Sequence, residues 1–174
     1  MKKDDFRAKL RKDYPNLEEF FPFLDQLNKE SPRGAVLIAS SFIEEQLRRV
    51  ILAFLIETSE ADKLLEGYNA PLGTFSARAT TAFCLGLVSE EEYQDCDTLR
   101  RIRNEFAHNF PTSFEDQKII DLCKRFHHSA KDYADVVVGP FGQFSTAAVA
   151  LIMNLTNRGR YVGKRRLSYR KWAY

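Results

Sequence analysis

The sequence predicts an all-α protein, a single helical bundle of about six to eight helices around a long central apolar helix. Three observations predict it. Apolar residues recur at helical spacing in successive stretches of the chain. Serine, threonine and aspartate caps open those stretches, and glycine or proline closes them. The only strand-like run, Val136-Val137-Val138, is too short to change the class. The bundle is expected over residues 1–159 as one domain, with a basic, aromatic C-terminal tail at 160–174.

Asn16 or a neighbour can cap a first short helix carrying Leu17, Phe20, Leu24 and Leu27, which Ser31-Pro32-Arg33-Gly34 then breaks. The central helix is expected from about Ala35 to Glu57. Ile38, Phe42, Ile43, Leu47, Val50, Ile51, Phe54 and Leu55 cover much of its circumference, so other helices or a partner chain must flank it. Glu44–Arg48 and Glu45–Arg49 are acid-before-base pairs four residues apart. Gly67, Asn69, Pro71 and Gly73 mark a turn, after which Thr74 or Ser76 caps a helix over Phe75–Leu85, and Gly86 ends it in the left-handed conformation. Ser89 with Glu92 forms a capping box for a helix whose apolar side is Tyr93, Cys96, Leu99, Ile102 and Phe106; Asn109 and Pro111 stop it. Ser113 with Asp116 starts a helix through Ile119, Ile120, Cys123 and Phe126. A last helix follows Gly139-Pro140-Phe141-Gly142, buries Phe144, Ala148, Leu151, Ile152 and Leu155, and is closed by Gly159.

At 174 residues, with 44% apolar and 29% charged residues, the composition is that of an ordinary soluble domain. The start, MKKDDFRAKL, has no apolar core of signal-peptide length, and the longest apolar run, Val50–Ile56, is too short to span a bilayer. Cys84, Cys96 and Cys123 form no Cys-x-x-Cys pair, so they are read as reduced, buried thiols of a cytoplasmic protein, and neither metal nor cofactor is expected. The net charge of +2 conceals an asymmetry. Arg158, Arg160, Lys164, Arg165, Arg166, Arg170 and Lys171 lie in an acid-free stretch, and without them 19 basic residues face 24 acidic ones, a net of −5. An acidic body is not a broad nucleic-acid reader. The tail, where cations alternate with Tyr161, Tyr169, Trp172 and Tyr174, is the part suited to nucleic acid. It equally suits an anionic membrane surface, or a solvated segment docked on the acidic body.

Three groups of residues invite a chemical reading, and each also has a structural one. Arg103 and His108 lie five positions apart, about 140° around a helix, so their side chains do not naturally meet. Asn104 shares a face with His108, and Glu105 would favour its imidazolium at the helix end. His108 is then either an ion-paired residue of the last turn or, with Arg103 gripping a phosphate, a proton carrier. Thr74, Ser76 and Arg78 at a helix start can cradle an anion or form a plain cap. His127 and His128, being adjacent, make a poor metal pair and are read as surface residues.

The block from Leu64 to His108 resembles the mannitol operon repressor family. The residues that carry the resemblance are Leu64-Leu65, Ala70-Pro71-Leu72-Gly73, Ser76-x-Arg78, Leu85-Gly86-Leu87, Glu92-Tyr93-x-Asp95 and Arg103-x4-His108, with Gly139-Pro140-Phe141-Gly142 further on. The Arg-x4-His helix is also similar to that of the wider HEPN-like helical group. The first resemblance implies a helical, non-enzymatic, homodimeric repressor or co-repressor of mannitol-utilisation genes. No helix-turn-helix with an exposed reading helix is seen, so action through a protein partner is expected, with nucleic acid contact left to Arg160, Lys164, Arg165, Arg166, Arg170 and Lys171. The second resemblance implies the alternative, a metal-independent ribonuclease using Arg103, Asn104 and His108.

Overall fold

The structure, a computed structural model, describes residues 20–173, and regular structure among them consists of seven α-helices and a short 3-10 turn. Helix α1 is Phe20–Leu27; it tolerates Pro22 because that residue sits in the first turn, where a backbone N–H has no partner to lose. The expected cap at Asn16 and the residue Leu17 lie outside the described residues.

Helix α2, Pro32–Phe54, starts three residues earlier than its apolar pattern indicates and stops three earlier. The Ser31 hydroxyl accepts from Gly34 N–H at 3.1 Å and Pro32 supplies a preset φ at the first position, so the Ser-Pro pair read as a breaker also begins the helix. Beyond Phe54 the backbone turns extended, and the Phe54 carbonyl accepts from Leu167 N–H at 2.7 Å. A short α3, Ser59–Leu65, was not foreseen; Thr58 caps it through Ala61 N–H, without the glutamate that would have completed a recognisable box.

Helix α4 is Phe75–Cys84, and Thr74, not Ser76, is its cap. Gly86 takes φ +67° as its position requires. Helix α5, Glu90–His108, carries the capping box with both reciprocal bonds made. Helix α6, Gln117–Cys123, is shorter than its pattern suggests: Asp116 is its N-cap, its carboxylate accepting from Ser113 N–H without a cap bond to the helix, and Phe126 is buried beyond its end. Helix α7, Pro140–Val162, continues through Gly159 and passes into the turn Gly163–Arg165. Gly159 therefore does not close it. Val162 is buried beyond it, and burial there outweighs the roughly 1 kcal/mol that an interior glycine costs.

Helices α2 and α7 form the central pairing. Ile43, Leu47, Val50 and Ile51 of α2 and Ala147, Ala148, Leu151, Ile152 and Leu155 of α7 expose no surface. Ala35, Ala39, Ala147 and Ala148 keep the facing ridges low enough for backbones to approach. Around this pair α4 and α5 close one side, while α1 and α6 lie on α7. A phenylalanine group, Phe106, Phe114, Phe126 and Phe144, with ring centroids 5.0–6.3 Å apart, seals the end where α5, α6 and α7 meet. Cys96 and Cys123 are buried as expected, but Cys84 is exposed at the end of α4. Val136 takes part only in an isolated bridge with Tyr133, not in a strand. No helix among the described residues is long and apolar enough to cross a membrane.

Two glycines whose added Cβ would meet open space test this backbone reading with opposite signs. Gly86→Ala forces a side chain into the left-handed region and is expected to lower stability by about 1 kcal/mol. Gly159→Ala removes a flexible residue from a helix interior and is expected to raise it by about 0.5–1 kcal/mol. Urea unfolding of both variants checks the pair; a destabilising Gly159→Ala would mean that α7 does end there.

Candidate functional site

Helix α5 is positioned by two carboxylates one turn apart. Glu92 completes the capping box, its Oε2 accepting from Ser89 N–H at 2.9 Å. The same carboxylate accepts both arms of the Arg158 guanidinium, at 2.9 and 2.7 Å, and Arg158 also donates to Leu87 O at 2.7 Å. Burial alone would raise the Glu92 pKa, but the Arg158 bonds and the Ser89 amide outweigh it and hold the group below the ordinary carboxylate range. Asp95, with no exposed surface, accepts from the backbone N–H groups of His127 and His128 at 2.7 and 3.0 Å, and His128 Nδ1 lies 2.8 Å from its second oxygen. His127 Nε2 lies 2.7 Å from Gln94 Oε1. The two histidines are thus not idle surface residues: they anchor the chain after α6 onto α5. Arg158, counted from the sequence with the tail cations, belongs to α7 and points inward.

The sequence signal for these contacts was present and partial. Glu92 and Asp95, three positions apart, share the helix face that also carries Leu99 and Ile102, which is where a buried carboxylate would sit. Their partners, 66 and 33 residues away, could not be read from spacing.

The outer face of α5 is held by a second set of ion pairs. Asp97 accepts from Arg100 at 2.6 Å and from Arg101 at 2.7 Å. Glu105 is not paired with His108; its oxygens take Lys118 Nζ at 2.6 Å and Asn109 Nδ2 at 2.9 Å. Arg103 and His108 are both exposed, and Arg103 donates to the neighbouring Asn104 Oδ1 at 3.2 Å. A cleft of about 490 Å³ beside them is lined by Arg101, Asn104, Glu105, Lys118, Asp121, Leu122 and Arg125. Of the three residues read as a possible catalytic set, only Asn104 reaches it. A second cleft of about 510 Å³ shares Arg101 and Arg125 with the first and adds Tyr93, Gln94, Asp97, Thr98 and His127.

Arg78 does not wait for an anion. Its guanidinium donates to Leu72 O at 3.0 Å and Leu65 O at 2.8 Å and lies 3.6 Å from Glu44 Oε1. With Thr74 engaged as the cap and Ser76 exposed, the Thr74–Ser76–Arg78 group fastens the 65–73 turn to α2. Glu44 consequently does not pair with Arg48. Arg48 and Arg49 both bind Glu45, whose pKa the Arg48 hydrogen bond lowers to about 2, and Arg48 also reaches Glu66 at 2.7 Å.

Among the tail candidates, Arg166 pairs with Glu57 at 3.0 Å, while Arg160, Lys164, Arg165, Arg170 and Lys171 are exposed and have no carboxylate partner among the described residues. No cluster of three or more metal-ligating side chains occurs among the described residues. Burial raises the Cys96 thiol far above its ordinary pKa and the Cys123 thiol to about 12, so neither offers a thiolate nucleophile at neutral pH.

Comparison with known proteins agrees with the fold. A family model described as mannitol repressor matches residues 21–139. The chain is 25% identical over 134 residues to the mannitol operon repressors of Escherichia coli strain K12 and of Escherichia coli O6:H1, covering 72% of this chain and 58% of each relative. It therefore spans little more than half the length of these curated relatives. Among solved structures it is similar to a chain in the X-ray structure of the MtlR–HPr complex from Escherichia coli, with a TM-score of 0.57 and 21% identity over 82% of this chain and 96% of that one.

The Glu92 environment makes stability depend on acid. A carboxyl whose folded pKa lies below its unfolded value adds stability above the unfolded value, about 4.3, and loses it as pH falls through the folded one. Glu92→Gln is expected to flatten this part of the acid loss below about pH 4.5, and Arg158→Met to cost about 3 kcal/mol at pH 7 by leaving a buried carboxylate unpaired. By contrast, Arg103→Ala and His108→Ala should each stay within about 0.5 kcal/mol of the parent. Urea unfolding at several pH values separates the two groups. A large loss from His108→Ala would assign that residue a structural role that its exposure does not show.

Proposed function

The chain belongs to the mannitol repressor family, and from that premise we propose that it is a non-enzymatic regulator, a repressor or co-repressor of mannitol-utilisation genes, working through a protein partner. The observation that carries the proposal is the family match across more than half of the chain, the same residues that build α1 through α6. The partner clause is supported by two further points. The solved structure of similar fold is of a complex with HPr, so a protein of that kind is the partner proposed here. The described helices present no paired reading module: α5 is committed on its inner side to Glu92 and Asp95 and on its outer side to ion pairs.

The surface this reading gives to the partner is the outer face of α5 and α6. Arg103 and Arg125 have no carboxylate partner among the described residues, and Arg125 lines both clefts there. Exposed guanidinium groups of this kind suit the carboxylate fork of a partner without a prior ion pair to break. A homodimer and a cytoplasmic location belong to the same reading. The ribonuclease alternative finds less support. Arg103 and His108 lie five positions apart on one helix, Arg103 donates to Asn104, and among the described residues no hydrogen bond orients His108 as a proton carrier.

Titration calorimetry of the purified chain with HPr of the same organism tests the proposal. Saturable binding is expected, weakened at least tenfold by the double variant Arg103→Glu/Arg125→Glu. Absence of binding would remove the partner clause. Sequence-preferring binding of the chain alone to the operon promoter would make it a direct repressor instead. Cleavage of RNA that His108→Ala abolishes would establish the enzymatic alternative.

A further inference from the structure

The C-terminal tail lies outside the residues matched by the family model and carries side chains that the bundle does not use. Its base is fastened. Arg166 binds Glu57 at 3.0 Å, and Leu167 N–H donates to the last carbonyl of α2 at 2.7 Å. Beyond Leu167 the backbone has no regular secondary structure, and every described residue is exposed. Tyr161, Tyr169 and Trp172 keep 64%, 80% and 77% of their surfaces in water. Large aromatic rings left this open contribute nothing to the core, and the sequence places them between cations: Arg160-Tyr161, Lys164-Arg165, Tyr169-Arg170-Lys171-Trp172. Lys164 Nζ lies 5.9 Å from the Tyr161 ring centroid. No acid occurs from Arg158 to the end of the chain, while the body is acidic.

From these observations we propose that residues 160–173 form a binding site for single-stranded nucleic acid, with Arg160, Lys164, Arg165, Arg170 and Lys171 meeting phosphates and Tyr161, Tyr169 and Trp172 stacking on bases. Three features favour a strand over other anions. The rings present open π-faces, on which any base can stack without sequence preference. Three residues of non-helical chain let Tyr169 and Trp172 lie up to ~10 Å apart, so they can engage separate bases. A lipid surface would instead select an amphipathic helix with one apolar face, and past the turn at Gly163–Arg165 the tail is not helical. Duplex DNA hides its base faces in the stack and would leave the rings unused. The proposal goes beyond the regulatory reading and does not depend on the partner.

Trp172 is the only tryptophan in the chain, so its fluorescence reports stacking directly. The full-length protein is titrated with a mixed-sequence 12-nucleotide strand, as DNA and as RNA, with the matching duplex, and with vesicles of phosphatidylserine and phosphatidylcholine. Saturable quenching by the single strands is expected, with affinity falling about a hundredfold between 50 and 200 mM salt if five phosphates are neutralised. Arg170→Gln/Lys171→Gln should lower the slope of log affinity against log salt by about 1.4. Trp172→Ala, followed by anisotropy of a labelled strand, should weaken binding roughly tenfold. Absence of quenching by either strand, binding confined to vesicles, equal binding by duplex and strand, or binding unchanged by removal of residues 169–174 would each overturn the proposal. Because no partner is present, these outcomes are separate from the fate of the HPr reading.

Discussion

Glu92 holds three structural elements with two carboxylate oxygens. It caps its own helix through Ser89, fixes the turn after α4 through the Arg158 bond to Leu87, and ties α5 to α7 through the bidentate guanidinium. Asp95 repeats the device one turn on, gathering the two amides at His127 and His128. The apolar stripe of Cys96, Leu99, Ile102 and Phe106 turns this face of α5 toward the core, and the carboxylate contacts fix its register against α7 and the segment after α6. A buried ion pair adds little net stability compared with a well-packed apolar one, yet it excludes arrangements that would leave either charge unpaired. That is the role assigned to Glu92 here.

The same accounting separates structural charge from available charge. Arg48, Arg78, Arg100 and Arg158 are already taken up by the chain's own carboxylates or by carbonyls at chain turns. Among the described residues, Arg103 and Arg125 on the α5–α6 face and the tail cations other than Arg166 have no carboxylate partner. The α5–α6 face is the surface proposed for a protein partner, and the tail is the one proposed for a nucleic-acid strand. Arg166 and Leu167 fasten the base of the tail to Glu57 and the end of α2.

Elements with complete local signals were legible in the sequence. The capping box at Ser89 and Glu92, the left-handed Gly86 and the apolar stripe of α7 all reappear, because each rests on residues within a few positions of one another. What was missed rests on distant pairings. Arg158 looked like a tail cation until Glu92 was seen beside it, and Arg78 looked like an anion ligand until the carbonyls of Leu65 and Leu72 filled its fork. Gly159 signalled a stop that tertiary burial at Val162 overrode. Helix α3 is too short to establish a periodicity of its own. The Arg103-x4-His108 motif and the angle between its ends were visible from the start, but only the structure shows both side chains exposed and Glu105 taken by Lys118 and Asn109.

The central claim is regulatory, and the most direct measurement is the transcript level of the mannitol-utilisation genes in the host, with and without the gene for this chain. Transcripts are expected to rise without it, and a His108→Ala copy is expected to restore repression as the parent does, whereas an Arg103→Glu/Arg125→Glu copy is expected to fail to do so. Unchanged transcripts in the absence of the gene, in the presence and absence of mannitol, would contradict that claim.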